Sequence, residues 1–176
     1  MTIETLAKQG VAHTGLAGID TSRLKAMRNA SLRACFNRIE DTRYRLEFVG
    51  RILGREYIND AGARTVNATW YALETLQGGI IWIVSGTEVD TDYSKLVPAA
   101  LRKVRMMLVL GPAEQLKSTF AGVVPSIVEC QSITDALHKA YLYDATDVKV
   151  LFSPACNDGT PTNALGEAFR NEVNEL

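Results

Sequence analysis

The sequence predicts an α/β domain of three layers, a mostly parallel sheet of about six strands with helices on both faces. Two observations carry this. Apolar, β-branched runs such as Ile80-Ile-Trp-Ile-Val84 alternate with helical patterns repeatedly after Ile80. Continuous apolar runs mark strands covered on both faces, and such alternation implies parallel strands joined by helical crossovers. Length and composition agree: 176 residues, 47% hydrophobic and 22% charged, suffice for one such domain with a sizeable core.

Residues 1–20 lack periodicity and read as a mobile tail. Asp20, Thr21 and Ser22 are candidate N-caps of a helix reaching Asn37. A boundary is expected near Asn37–Arg43. Tyr44–Gly50 and Arg55–Asp60 read as two edge strands, with Gly50 and Gly54 bracketing their turn. Thr65–Leu76 reads as a helix with Val66, Thr69, Trp70, Leu73 and Leu76 on one face, stopped by Gly78-Gly79. Ile80–Val84 is the first central strand. A helix over Tyr93–Lys103 turns Leu96, Val97, Ala100 and Leu101 inward. The remaining expectations are a strand at Val104–Leu110, a helix at Ala113–Phe120 and a strand at Val123–Val128. A helix at Ser132–Tyr143, a strand at Val148–Phe152 and a helix at Asn163–Glu175 follow. Trp70 and Trp82 fall on apolar patterns and are expected in the core.

Several function classes lose support at this stage. A net charge of −1 provides no basic footprint for nucleic acid or an acidic membrane. No apolar run approaches the ~20 residues of a membrane span, and Met1–Gly10 is not a secretory signal, so the expected location is the cytoplasm. Cys35, Cys130 and Cys156 are widely spaced and read as buried thiols, and His13 and His138 lack metal-ligand spacing. No metal ligand is assigned. The chain contains no G-x-x-x-x-G-K-[ST], no G-x-G-x-x-G and no G-x-S-x-G.

What remains is the carboxyl ends of the strands, where open α/β sheets bind ligands. Three polar loops lie there: Asn59-Asp-Ala-Gly-Ala-Arg-Thr65, Ser85-Gly-Thr-Glu-Val-Asp-Thr-Asp92 and Ser153-Pro-Ala-Cys-Asn-Asp-Gly-Thr160. Taken one at a time they are ordinary turn and cap chemistry.

As an ordered set, led by Tyr44-Arg45-Leu46-Glu47 and extending to Leu151-Phe152 before the last loop, they resemble the C-terminal domain of the Mur ligase family. The likeness is strongest to the D-glutamate-adding members, including Val66–Leu73 and Asp92–Pro98. It covers about Leu32–Leu176, with residues 21–43 resembling the end of the family's central domain and 44–176 the C-terminal domain.

The resemblance implies a Rossmann-like fold that receives the incoming amino acid and closes over ATP. It also implies a ligase of peptidoglycan synthesis joining D-glutamate to UDP-N-acetylmuramoyl-L-alanine. In the family, two other domains hold the UDP-sugar and, through a P-loop, ATP with Mg2+. They are missing here, so catalysis and tight cofactor binding by this chain alone are not expected. No catalytic residue is assigned. Arg45 and Asp60 keep the residue types that contact ATP, Asp60 as a ribose acceptor. The substrate-binding positions are Arg64, Thr65, Gly86, Ser153 and Asp158. They are diverged: the family's lysines are replaced by Gly62 and Val89, a threonine by Arg64, a serine by Asp158, and a phenylalanine falls near Leu165.

Loss of cations and gain of Asp158 weaken a pocket for two carboxylates, because a buried carboxylate needs charge-assisted partners. Arg64 restores one cation able to clamp a carboxylate in bidentate fashion. The alternative expectation is a stand-alone Mur-like pseudoenzyme, a regulatory module binding a nucleotide or a protein through the same face.

Overall fold

The computed structural model describes residues 43–87, 90–145 and 147–176. The expected N-terminal tail and helix, with Cys35 and His13, lie outside the described residues.

Six strands form one sheet: β1 (Glu47–Ile52), β2 (Arg55–Asn59), β3 (Gly79–Ser85), β4 (Val104–Leu110), β5 (Ile127–Cys130) and β6 (Val148–Phe152). Their order is β1-β2-β6-β3-β4-β5, with β1 antiparallel to β2 and all other pairs parallel. Among the described residues four α-helices connect them, α1 (Val66–Thr75), α2 (Val97–Lys103), α3 (Glu114–Phe120) and α4 (Ile133–Tyr141), and a fifth, α5 (Thr162–Asn174), follows β6.

The two-residue period of β3 divides the core. Ile80, Trp82 and Val84 face a layer with Ala72, Leu73, Leu96, Ala100, Leu116 and Phe120, from α1, α2 and α3 and the turn before α2. Ile81 and Ile83 face Ala136, Leu137, Ala140, Phe169 and Val173, from α4 and α5. The three-layer expectation therefore holds, with the core on both sides of the sheet. Trp82 is fully buried, sets its ring edge-on to Phe120 at 5.6 Å, and donates its Nε1–H to the Ser153 carbonyl at 2.9 Å.

Several local expectations are corrected. Trp70 is 39% exposed, because α1 buries Thr69, Ala72 and Leu73 and leaves Trp70 on the flank, where Lys95 approaches its ring. Ala100 is inward as expected, but Leu101 is exposed, since α2 turns Ala99 inward in its place. The strand expected at Val123–Val128 is β5, beginning only at Ile127. Val123 and Val124 donate to the Phe120 carbonyl in a turn through Gly122, and Val124 plugs the core from there. The helix expected from Tyr93 begins with a 3-10 turn, Ser94–Leu96.

The first strand starts at Glu47 instead of Tyr44. Gly50 lies inside it, at a register irregularity, and the β1–β2 turn consists of Leu53-Gly54, both at positive φ. A two-residue hairpin of that conformation prefers Asn-Gly, and a leucine there is strained by about 1 kcal/mol.

The end of α1 is finished by a distant lysine. Lys103 Nζ donates to the carbonyls of Leu73, Glu74 and Leu76 at 2.7, 2.7 and 2.8 Å. These are carbonyls that a helix C-terminus leaves without intrahelical partners. Two substitutions test these local accounts by thermal or denaturant unfolding. Leu53→Asn is expected to stabilise the fold by about 1 kcal/mol. Lys103→Met is expected to cost about 2 kcal/mol, the scale of charge-assisted hydrogen bonds.

Candidate functional site at the strand ends

Because β6 lies between β2 and β3, the loops leaving these three strands become neighbours. Main-chain bonds hold them together. Asp60 N–H donates to Phe152 O at 2.8 Å, Ala155 N–H to Ala63 O at 3.0 Å, and Ser85 N–H to Pro154 O at 3.2 Å. The predicted site residues are thus brought to one end of the sheet, and the structure assigns them two different situations.

Asp60 and Ser153 are interior. Asp60 has no exposed surface. Its Oδ1 accepts from Arg45 Nε at 3.0 Å and from the Leu46 amide at 3.1 Å, and its Oδ2 accepts from Ser153 Oγ at 3.0 Å. Since the Ser153 proton goes to Asp60, the 2.8 Å contact between Thr69 Oγ1 and Ser153 Oγ is donated by Thr69. The result is a directed chain, Thr69 to Ser153 to Asp60, that closes on Arg45.

Asp60 is therefore not placed to meet a ribose directly in this state, because its oxygens are enclosed. It orients Arg45, whose side chain is about one-third exposed, with a relative accessibility of 32%. Ser153 is likewise a buried connector, not a surface contact. Burial pushes the Asp60 carboxyl up to about 6, against the opposing pull of Arg45, Ser153 and the Leu46 amide.

Gly86 and Thr65 have structural duties. A Cβ on Gly86 would lie 1.7 Å from the Pro112 carbonyl oxygen, so only glycine permits the loop after β3 to approach the one after β4 this closely. Thr65 is the N-cap of α1, its hydroxyl accepting from Ala68 N–H at 3.2 Å. Leu165, on α5, is partly buried against the core layer that α4 and α5 build. Val89 lies outside the described residues.

Arg64 and Asp158 meet at the surface. Arg64 Nη2 donates to Asp158 Oδ1 at 2.7 Å and to Asn157 Oδ1 at 2.8 Å. The reading of Arg64 as an open carboxylate clamp is corrected by this pair: the clamp already holds a carboxylate of the chain itself. Burial pushes Asp158 up, but the Thr160 amide and Arg64 outweigh it and hold it below the usual aspartate range. Arg64, Thr65, Val66, Thr87, Thr91, Ala155, Cys156 and Asn157 line a cavity of about 300 Å3.

Thr69 and Asn157 carry no site role in the sequence reading. A signal for Thr69 existed: it is a hydroxyl on an otherwise apolar helix face, which implies a buried partner. Cys130 and Cys156 are buried free thiols, as expected.

The same arrangement of strand, loop and helix occurs in known proteins. The chain is 33% identical over 179 aligned positions to the UDP-N-acetylmuramoylalanine–D-glutamate ligase of Porphyromonas gingivalis, covering 98% of this chain and 40% of that protein. It is 35% identical over 159 positions to the ligase of the same name from Christiangramia forsetii, covering 89% and 36%. Over nearly its whole length the chain is a relative of the C-terminal domain of the Mur ligases. No protein-family profile matches it.

Among solved structures, the murein peptide ligase of Psychrobacter arcticus superposes with a TM-score of 0.53 at 11% identity, over 76% of this chain and 30% of that one. This shows the fold, which is the C-terminal domain of Mur ligases. The chain spans about 40% of the length of the curated relatives it matches. Among the described residues no helix is long and apolar enough to cross a membrane.

The buried carboxylate sets a pH dependence. Asp60 titrates near 6 folded and at 3.8 when free, so the folded state binds the extra proton between those values. Stability from this group is complete below about pH 4 and is lost as pH rises through 6, by about 3 kcal/mol in total. Unfolding free energies of the wild type and Asp60→Asn, compared from pH 4 to 7.5, are expected to diverge by that amount, with the wild type losing ground as pH rises.

Proposed function

We propose that this chain acts as the amino-acid-receiving and ATP-closing C-terminal domain of a D-glutamate-ligase-like enzyme of peptidoglycan synthesis in the cytoplasm, and that it is not catalytic by itself. The observation that carries this is the identity of 33% across 98% of the chain, concentrated on a part equal to 40% of the relative. The three strand-end loops, in family order and drawn to one end of the sheet, support it.

Arg45 suits a polyanion: it is a partly exposed guanidinium held in place by Asp60. These 176 residues contain no P-loop, so they fit ATP as a contact from one side and not as a complete site. ATP with Mg2+ and UDP-N-acetylmuramoyl-L-alanine would be held by the central and N-terminal ligase domains, and bound ATP would supply the phosphoryl group that activates the acyl donor, the L-alanine carboxylate, for attack by the amino acid's amine. Arg45 would then close on the nucleotide from the opposite side. Ser153 and Thr69 would keep Asp60 aligned behind it, and Arg64, Thr65, Gly86 and Asp158 would border the amino-acid side of the site.

The Arg64–Asp158 pair is the observation that favours the second reading, a Mur-like pseudoenzyme binding a nucleotide or a protein through this face. Two measurements test the proposal. The chain supplied with ATP, Mg2+, UDP-N-acetylmuramoyl-L-alanine and D-glutamate is expected to release no ADP; sustained turnover would overturn the non-catalytic assignment. In calorimetric titration, Arg45→Ala is expected to weaken ATP binding about tenfold, the loss of one charge-assisted contact. Equal affinity in both forms would mean that this face does not meet the nucleotide.

A further inference from the structure

The cavity of about 300 Å3 beside Arg64 is at the small end of ligand cavities and large enough for an amino acid. Among its described lining residues Arg64 alone carries a formal charge. That charge is balanced 2.7 Å away by Asp158, which is itself fixed by the Thr160 amide at 2.9 Å. Asn157 takes the same guanidinium nitrogen and is steadied by Gly159 N–H at 3.2 Å. Meanwhile Arg64 Nε and Nη1 are buried and have no hydrogen-bond partner among the described residues. Buried donors without acceptors are costly, so the guanidinium still calls for an acceptor.

The nature of that acceptor follows from charge. A second carboxylate at Arg64 would stand beside Asp158, and like charges in contact repel, though less steeply at this partly exposed site than in a dry interior. Even at the unpartnered Nε and Nη1 it would stand near Asp158, which Arg64 Nη2 and the Thr160 amide hold in place. An uncharged amide meets no such obstacle. Its carbonyl accepts from a guanidinium, and its NH2 donates to a carboxylate.

We propose that Asp158 makes this cavity selective for an amino acid with an uncharged, amide-like side chain, by holding as an internal carboxylate the guanidinium that an acidic substrate needs. This rests on the reading of the strand-end face as amino-acid-receiving. Asp158 is the specificity-determining residue, and Arg64 is a latent anion site.

D-Glutamine and D-glutamate are nearly isosteric and differ at neutral pH by one charge, so they isolate the effect. Chemical-shift titration of the full chain at constant salt is expected to show D-glutamine binding about tenfold more tightly than D-glutamate. Asp158→Asn, which keeps the shape and an acceptor for Arg64, is expected to shift that ratio about tenfold toward D-glutamate, and Asp158→Ala to shift it in the same direction. Melting curves of both variants check that the loop change leaves the fold intact.

Binding of both ligands with a ratio that neither variant changes would overturn the role of Asp158 while leaving the amino-acid-receiving reading standing. A wild type that prefers D-glutamate would overturn the neutral-ligand assignment. Failure of every form to bind either amino acid would overturn the amino-acid-receiving reading and this proposal together.

Discussion

One buried carboxylate ties the functional end of this domain together. Asp60 follows β2 directly, and its two oxygens take donors from the turn before β1 and from the residue after β6. A carboxylate inside protein is costly unless its lone pairs are filled. Here that demand determines the positions of Arg45, Leu46 and Ser153, and through Ser153 that of Thr69 on α1. The partly exposed face of Arg45 is a consequence of this inner network. So is the tension that raises the Asp60 proton affinity while Arg45 pulls against it.

The outer edge of the same face follows a different logic. Arg64 and Asp158 are 94 residues apart in the chain, yet their side chains pair. The main-chain bond from Ala155 to Ala63 brings their loops together, and the parallel pairing of β2 with β6 lies beneath. A cation and an anion that each affect a carboxylate ligand thus become a neutral unit. The inner network and the outer pair share a scaffold but differ in exposure, so the ATP side and the amino-acid side of the proposed site can change independently.

Much of this was legible from the residues. The run Ile80–Val84 could only be a strand covered on both sides, and its alternation sorts five side chains between two layers. The helices read from Thr65 and from Ser132 do start there, and both side chains cap them. Less legible were places where an apolar residue has two uses. Val123 and Val124 look like strand but serve as a turn and a plug, because Gly122 and Pro125 deny the ladder its geometry. Trp70 follows helical spacing, but a helix of ten residues has room for one narrow buried stripe, and Thr69 takes the place beside it to reach Ser153.

The sequence by itself determined the layer architecture, the strand-end location of the loops and the kinship with Mur ligases, since periodicity and ordered local motifs are properties of the chain read in line. Only the tertiary structure decided which charges are available. Asp60 is enclosed and Arg45 is presented; Arg64 is occupied and Asp158 is what occupies it. The reason is physical: the state of a charge depends on what lies within a few ångströms of it, and those neighbours come from distant parts of the chain.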